Sequence, residues 1–206
     1  MRSSLVPAAD QTSKILPGTI SRSTHDAALI KRIAEGDRNA MLVLFTGHQL
    51  RVFRFVLRMV GDKTLAEDLT SEVFLDVWRQ AGQFEGRSTV STWMLAMARY
   101  KALAARRRRS EDQLDEEVAE TIEDDGDDPE VAVQKKDRSE ILRRCLGKLS
   151  ADHRQIVDLV YYHEKSVDEA AQILAIPENT VKTRLFHARK RLSVLASEAG
   201  LDRSYI

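Results

Sequence analysis

The residues best suited to chemistry in this sequence are polar and cationic side chains along residues 178–192. Apolar residues recur among and just after them at steps of four, three, four and three, at Val181, Leu185, Ala188, Leu192 and Leu195. This spacing predicts a helix that buries one face. The residues that point away from that face, or flank it, are Asn179, Thr180, Lys182, Thr183, Arg184, Phe186, His187, Arg189, Lys190 and Arg191. Because such side chains bond to base edges and phosphates, this face is predicted to read duplex DNA.

The segment just before this basic helix is predicted to form a second, shorter helix and a tight turn. Ser166 and Glu169 have the spacing of a capping box, which predicts a helix over residues 167–174, and Pro177 then ends or redirects the chain. A short helix, a tight turn and a second, basic helix make up the helix-turn-helix of DNA-binding proteins. The alternative is an ordinary surface helix, since cations on an outer face usually indicate only solvation. The preceding short helix and the outward Phe186 favour DNA binding.

A second group of candidate binding residues lies between Ala81 and Arg109. Glycine, serine and threonine interrupt the periodicity over AGQFEGRSTVSTW, which predicts a loop bracketed by Phe84 and Trp93. The helix that follows ends in four consecutive arginines, from Arg106 to Arg109. One or two cations are enough to complement a helix dipole, so four indicate phosphate binding. Aromatic residues among cations also indicate stacking on unpaired bases.

The helix predicted over TLAEDLTSEVFLDVWRQ carries both acidic and aromatic side chains. Thr64 and Glu67 have the spacing of a capping box at its start. An apolar stripe follows at Leu65, Leu69, Val73 and Val77. The remaining surface combines Phe74 and Trp78 with Asp68, Glu72 and Asp76. Such a surface suits a protein partner, and the alternative, in which both aromatics are core residues and the acids are merely solvated, is equally supported.

No arrangement typical of catalysis or of a bound metal occurs in the sequence. His153 and His163 lack the i, i+4 histidine and the glutamate of a zinc hydrolase, and there is no cysteine cluster or phosphate-binding loop. The acidic stretch around Gly126 has Thr121 and Ala132 where a calcium loop needs acidic residues. We therefore expect a protein that is not an enzyme and that uses neither a metal nor a cofactor.

Composition bounds the class of protein. The chain has 206 residues, of which 43% are apolar, enough for one or two small domains. Its single cysteine, Cys145, cannot form an internal disulfide and is expected to be buried. No apolar run approaches the ~18 residues of a membrane span, and residues 1–25 lack the apolar core of a signal peptide. A cytoplasmic protein without membrane insertion is expected.

The net charge of zero conceals a segregation of charge along the chain. Residues 110–134 carry 12 acidic and no basic side chains, whereas the segments on both sides have an excess of lysine and arginine. Self-repulsion predicts a disordered linker over residues 110–128. The predicted fold is therefore all-α, with two small helical domains joined by a flexible acidic linker. The predicted segments are a flexible tail over 1–25, a helical bundle over 26–109, the linker, and a helix-turn-helix domain over 129–206.

Helix boundaries and core residues follow from capping and periodicity. Helices are predicted over residues 26–35 and 37–60, with Gly61 ending the second and Ser150 capping a later one. The predicted core residues outside the stripes given above are Leu42, Phe45, Val52, Val56, Met59, Met94, Met97, Ala98, Leu103, Val131, Leu142, Cys145, Leu146, Ile156, Val157, Leu159 and Val160.

The chain resembles the small extracytoplasmic-function (ECF) sigma factors of the bacterial sigma-70 family. The resemblance covers about residues 26–199 and rests on three motifs in the family's order and spacing: AEDLTSEVFLDVWRQ, FEGRSTVSTWMLAMARYKAL and LSADHRQIVDLVYYHEKSVDEAAQILAIPENTVKTRLFHARKRL. It implies a protein that binds core RNA polymerase, directs it to specific promoters and promotes melting of the −10 element. It also implies an anti-sigma factor as a regulatory partner.

The resemblance implies a role for each group of residues. The acidic and aromatic helix would dock on the clamp helices of the polymerase through Asp68, Leu69, Glu72, Phe74 and Trp78. The loop and the next helix would open the −10 element and hold a flipped base through Phe84, Arg87, Ser88, Thr89, Trp93, Tyr100, Lys101, Arg106 and Arg107. The helix-turn-helix would read the −35 element of promoter DNA through Asn179, Thr180, Lys182, Thr183, Arg184, Phe186, His187 and Lys190.

One position departs from the family. Many members carry an asparagine where this chain has Tyr100, so the family's base preference at the −10 element is not carried over. The alternative function is a stand-alone helix-turn-helix regulator with a helical partner-binding domain. The two hypotheses differ in whether residues 64–109 bind polymerase and single-stranded DNA or serve dimerisation. A nucleic-acid enzyme would need a metal or nucleophile arrangement that the sequence lacks.

Overall fold

The computed structural model describes residues 17–112 and 132–200, with side chains over 24–109 and 140–200. The described ranges are all-α, as predicted. The helices are α1 Pro17–Ala34, α2 Arg38–Val60, α3 Lys63–Gln80, α4 Val90–Asp112, α5 Ala132–Gly147, α6 Ala151–Val157, α7 Val167–Leu174 and α8 Glu178–Glu198. A 3₁₀ turn at Ala81–Gln83 follows α3, and a π-helical turn at Asp158–Tyr162 follows α6. Residues 110–112, predicted to begin the flexible linker, are instead the end of α4. The rest of the predicted linker, the predicted tail over 1–16, the calcium-loop segment and Val131 lie outside the described residues.

Several helix ends follow from local residue chemistry. Asp37 caps α2 by accepting bonds from the N–H groups of Asn39 and Ala40, and Gly61, at φ 72°, ends it in the left-handed conformation. The next helix is capped by Asp62, which accepts from the N–H of Leu65. The capping box expected at Thr64 is therefore wrong, because the helix has already begun at Lys63.

The first helix also begins earlier than predicted. It starts at Pro17 rather than at Asp26, so residues 17–25, expected to belong to a flexible tail, are helical. Proline is favoured at the first position of a helix because its N–H would have no partner there. Ile20 is the one large aliphatic residue in 17–25, so apolar periodicity does not indicate a helix there.

A single apolar core joins residues from both basic segments of the chain. Its buried members include Phe55, Val73 and Met94 from the first segment, and Leu159 and Leu174 from the second. A smaller core lies between α5, α6 and α8 and consists of Cys145, Leu149, Val157, Ala188 and Leu195. Cys145 is buried there, as predicted. The second segment therefore packs on the first as well as on itself.

Two predicted core residues are exposed. Leu42 is 62% exposed and Leu142 is 37% exposed. Leu44, two positions after Leu42, is fully buried instead. Two positions along a helix turn a side chain by ~200°, so near Leu42 the buried face of α2 is opposite to the one predicted. Helix α2 is long and apolar enough to span a membrane by length and composition, but its buried face packs on α1, α3 and α4 as part of the core.

Candidate nucleic-acid interface

The helix-turn-helix forms as the sequence predicts. The capping box is complete: the Glu169 N–H donates to Ser166 Oγ at 3.1 Å, and the Ser166 N–H donates to Glu169 Oε2 at 3.2 Å. The first helix spans Val167–Leu174 and ends at Ala175 in the left-handed conformation, with φ 53°. Pro177 is extended and precedes α8. These local features fix the short turn between α7 and α8.

The outer face of α8 is exposed, as predicted. The exposed residues are Asn179, Lys182, Thr183, Phe186, His187 and Lys190. Phe186 is 63% exposed, and its ring meets His187 edge to face with 5.4 Å between ring centroids. Thr180 and Arg184 are half-buried, and Arg184 forms an ion pair with Asp152 at 3.0 Å. Donors, acceptors and an apolar ring thus share a surface that can enter a major groove.

The aromatic residues of the predicted −10 site separate into two kinds. Phe84 and Trp93 are half-buried and pack on each other, with ring centroids 5.0 Å apart, so they support the loop. Tyr100 is 72% exposed and stands free for stacking. Arg87 is exposed and pairs with Glu85 at 2.6 Å. At the end of the helix, Arg106 and Arg107 are exposed.

Lys101 does not face solvent as a DNA contact would. Its ammonium lies 3.0 Å from Glu72 Oε2 and 2.8 Å from Asp76 Oδ2, and 18% of its side chain is exposed. Burial alone would lower the pKa of Lys101, but bonds to Asp76 and Glu72 reverse that effect and raise it. The residue therefore ties α4 to α3, a role that its position in the sequence does not reveal.

Helix α3 combines the two alternatives left open by the sequence. Phe74 is a core residue, 4% exposed, and packs on Phe45 with 4.8 Å between ring centroids. Leu69 is also buried, whereas Asp68 and Glu72 are exposed and Trp78 is 36% exposed. A protein partner would thus touch the acids and Trp78 directly, and Leu69 and Phe74 would shape the surface from below.

An open, mostly apolar groove lies between α2 and α3. It is lined by Arg38, Met41, Phe45, Ser71, Phe74, Leu75 and Trp78. Sequence analysis missed the three residues from α2, because Phe45 was assigned to the core and the others were not considered. Met41 and Phe45 are four residues apart, which places these two apolar side chains on one face of the helix.

Glu169 of α7, and Lys165 just before that helix, bond to the start of α4 and to the loop before it. Glu169 Oε1 accepts from Thr89 Oγ1 at 2.8 Å and from Thr92 Oγ1 at 2.5 Å. The ammonium of Lys165 donates to Ser91 Oγ at 2.5 Å, to Thr92 Oγ1 at 3.0 Å and to Glu169 Oε1 at 3.0 Å. No spacing rule could find these bonds, because Thr92 and Glu169 are 77 positions apart.

This network favours the ionised form of Glu169. Burial would raise the pKa of Glu169, but bonds from Thr92 and Lys165 outweigh it and lower that pKa to about 2. Burial lowers the pKa of Lys165, and the neighbouring Glu169 carboxylate opposes that effect. The Lys165 side chain is 5% exposed. A buried lysine of this kind depends on its carboxylate partner.

A second contact joins the two segments beside the network. Arg58 of α2 forms an ion pair with the buried Asp158, and its guanidinium lies 4.2 Å from the centre of the Tyr162 ring. His163 is 3% exposed and meets the Phe55 ring edge to face at 5.4 Å. Its Nε2 lies 3.3 Å from Asp158 Oδ2, without the geometry of a hydrogen bond. Among the described residues, no group of three or more histidine, cysteine or acidic side chains could hold a metal ion.

Two parts of the chain match known protein families. Residues 44–111 match the family described as sigma-70 region 2, and residues 139–192 match the family described as sigma-70, region 4. The first match contains the loop and α4, and the second contains the helix-turn-helix.

Comparison with individual proteins points the same way. The chain is 31% identical over 172 residues to the ECF RNA polymerase sigma factor SigW of Bacillus subtilis, covering 79% of this chain and 92% of that protein. It is 29% identical over 176 residues to the RNA polymerase sigma-H factor of Pseudomonas aeruginosa, covering 81% of this chain and 91% of that protein.

Its fold resembles CnrH, solved with the cytosolic domain of CnrY, with a TM-score of 0.63, 19% identity and coverage of 84% of this chain and 98% of that one. It also resembles RpoE of Bartonella quintana, solved with the anti-sigma factor NepR, with a TM-score of 0.58, 23% identity and coverage of 74% and 94%.

Proposed function

Because this chain belongs to the ECF sigma factors of the sigma-70 family, which bind core RNA polymerase and direct it to promoters, we propose that three of its surfaces divide that work. The outer face of α8 reads the −35 element, the loop and α4 open the −10 element, and α3 docks on the polymerase. The observation that carries the proposal is the exposed polar face of α8, set by a capped helix and a short turn.

At the −35 element, the exposed residues of α8 supply direct readout. Asn179 and His187 can bond to base edges, and Phe186 can contact a thymine methyl group. Lys182 and Lys190 position the helix on the phosphates. Half-buried Arg184 pairs with Asp152, so it would reach a phosphate only after that ion pair breaks.

At the −10 element, Tyr100 is the aromatic side chain that can stack on an unpaired base, since it is 72% exposed. Phe84 and Trp93 hold the loop from beneath. Ser88 and Thr89 supply hydroxyl groups for a flipped base, and Arg87, Arg106 and Arg107 supply charge for the phosphates. Lys101 serves instead as a positioning residue, because its ammonium holds Glu72 and Asp76 of α3.

On the polymerase side, Asp68, Glu72 and Trp78 are the surface contacts of α3, and Leu69 and Phe74 support them. An anti-sigma factor is the expected regulatory partner. The protein performs no chemistry of its own and works in the cytoplasm, where core polymerase and the chromosome are found.

The test is transcription from a library of genomic promoter fragments by sigma-free core RNA polymerase, with and without the purified protein. We expect specific new start sites that share a −35 and a −10 sequence. The same starts should be lost when Asn179 and His187 are both changed to alanine, while the variant still binds core polymerase. If no start arises and no complex with core forms, while duplex DNA is still bound, the protein is a stand-alone regulator instead.

A further inference from the structure

We propose that Lys101 changes partners when the polymerase docks. Glu72 leaves the lysine for a cationic side chain of the polymerase, and the released ammonium then binds a phosphate of the −10 strand. This inference rests on the proposed function, because it concerns residues that are proposed to meet polymerase and DNA. One side chain thus positions α4 in the free protein and contacts DNA in the complex.

In the free protein, Lys101 is held by two carboxylates of α3. Its ammonium lies 3.0 Å from Glu72 Oε2 and 2.8 Å from Asp76 Oδ2. The lysine side chain is 18% exposed and that of Asp76 is 24% exposed, whereas 54% of the Glu72 side chain is exposed. Glu72 is therefore the partner that a second protein can reach.

Glu72 lies in the middle of an acidic side of α3. Asp68, Glu72 and Asp76 follow one another at steps of four, which places them on the same side of the helix. A polymerase surface that meets these acids has to be cationic. An arginine there can bond a carboxylate with two parallel N–H groups, whereas the ammonium of lysine is a point charge. A docked arginine therefore competes with Lys101 for Glu72.

The loss of Glu72 favours departure of the ammonium. Burial lowers the pKa of Lys101, and the bonds to Asp76 and Glu72 are what raise it again. With one bond gone, the charged form is less stable in this half-buried position and gains by moving into water. Asp76 keeps a cation nearby, because Arg79 lies 3.8 Å from it on the same helix. The exchange therefore leaves neither carboxylate without a cation.

A released Lys101 lies beside the proposed −10 contacts. It directly follows Tyr100, which is 72% exposed. Residues seven positions apart lie on the same side of a helix, so Tyr100 is in line with Arg107. Lys101 is likewise in line with Arg108, and both arginines are exposed. Because the lysine stem is flexible, the ammonium can turn outward and extend this row of cations along the strand.

The first test follows Lys101 itself in the full-length protein. Acetic anhydride acetylates accessible lysine amines, and mass spectrometry of the digested protein gives the rate at Lys101. We expect a faster rate in Glu72→Gln than in the wild type. Glu67→Gln is the matched control, because it neutralises an exposed acid of the same helix that is not a partner of Lys101. Equal rates in the wild type and Glu72→Gln would overturn the exchange.

The second test measures binding of a labelled oligothymidine strand, which reports phosphate contacts without a promoter sequence. In the free protein, Lys101→Met should leave the affinity almost unchanged. Glu72→Gln should raise it about two- to fivefold and steepen the salt dependence by about 0.7 of a unit. Glu67→Gln should leave the salt dependence as it is. The gain should disappear when Glu72→Gln and Lys101→Met are combined, because it depends on the released ammonium.

With core polymerase bound, the expectation for Lys101 reverses. Lys101→Met should now weaken strand binding and flatten the salt dependence, whereas Lys101→Arg, which keeps a cation, should retain both. Equal effects of Lys101→Met on the free protein and on the complex would overturn the proposal. If circular dichroism shows Lys101→Met to be unfolded, the acetylation rate and salt dependence of Glu72→Gln decide. If acetylation changes as expected but neither the free protein nor the complex binds the strand, the exchange stands and the proposed −10 function fails.

Discussion

His187 and Lys190 lie one turn apart on the exposed face of α8 and should contribute to DNA binding in different ways. Imidazole nitrogens can bond to a base edge, whereas an ammonium on a flexible chain contacts phosphate as a point charge. We expect His187→Ala to weaken binding to the preferred −35 sequence by ~1–3 kcal/mol and to relax base preference at one position. Competition binding with single-base variants of the −35 fragment measures both effects.

Arg107 and Arg108, which are candidates for binding phosphate rather than bases, provide the control for this prediction. Replacing Arg107 and Arg108 by alanine should weaken binding to all sequences alike and lower the salt dependence by about one unit of slope for each lost phosphate contact. An unchanged base preference in His187→Ala, or a loss confined to one promoter in the arginine variant, would show that the roles of these residues are wrongly assigned.

For single residues, the spacing of apolar side chains predicted exposure correctly where exposure depends on one helix alone. The outward face of α8 and the capping box at Ser166 are as predicted, because both depend on residues within one or two turns. Lys101 and Glu169 are different. Glu169 is predicted only as part of a capping box and Lys101 only as a DNA contact, and each bonds with groups that are distant in the sequence.

On helix α3, different residues should serve stability and polymerase binding. Phe74 is buried and should support the fold, so Phe74→Ala should lower the free energy of unfolding by ~3–5 kcal/mol. Trp78 is one-third exposed, so Trp78→Ala should reduce stability much less but weaken binding to core polymerase by ~2 kcal/mol or more. Chemical denaturation and titration with labelled core polymerase separate the two effects.

Leu50→Ala is the matched control for Trp78→Ala. Leu50 is 56% exposed on α2 and does not line the groove. Leu50→Ala should reduce polymerase binding much less than Trp78→Ala does, and it should have little effect on stability. Equal loss of polymerase binding in the Leu50 and Trp78 variants would mean that the groove is not the docking surface.

Among elements, helix type and order could be read from the sequence, but some ends could not. The helix from Val167 to Leu174 has the predicted bounds because its cap and its left-handed end are local. The start of α3 differs from the prediction because Asp62 and Thr64 are both acceptable caps, and it is Asp62 that accepts from the N–H of Leu65. The groove was missed because it needs two helices to form.

For the molecule as a whole, the contact between the two segments should depend on pH through Glu169. Its pKa is lowered to about 2 from 4.5, so the stabilisation by the carboxylate is fully present above about pH 4.5 and is lost as the pH falls towards 2. Glu169→Gln lacks this charge but keeps a side chain suited to the capping box. We expect the variant to be less stable than the wild type at neutral pH and the difference to shrink between about pH 5 and about pH 3.

Thermal unfolding of both proteins across this pH range measures the difference. A stability difference that stays constant with pH would mean that the Glu169 carboxylate is not held in its ionised form by the contact.

Local sequence patterns were enough to predict the helical class, the helix-turn-helix, the exposed side of α8 and the family. Each of these depends on periodicity, capping or motifs, which are properties of neighbouring residues. Only the tertiary structure decided that Phe74 is core while Trp78 is surface, that Lys101 binds α3, and that Lys165 and Glu169 join the helix-turn-helix to α4. The physical reason is that burial and ion pairing depend on which surfaces meet, and residues far apart in the chain carry no local sign of their partners.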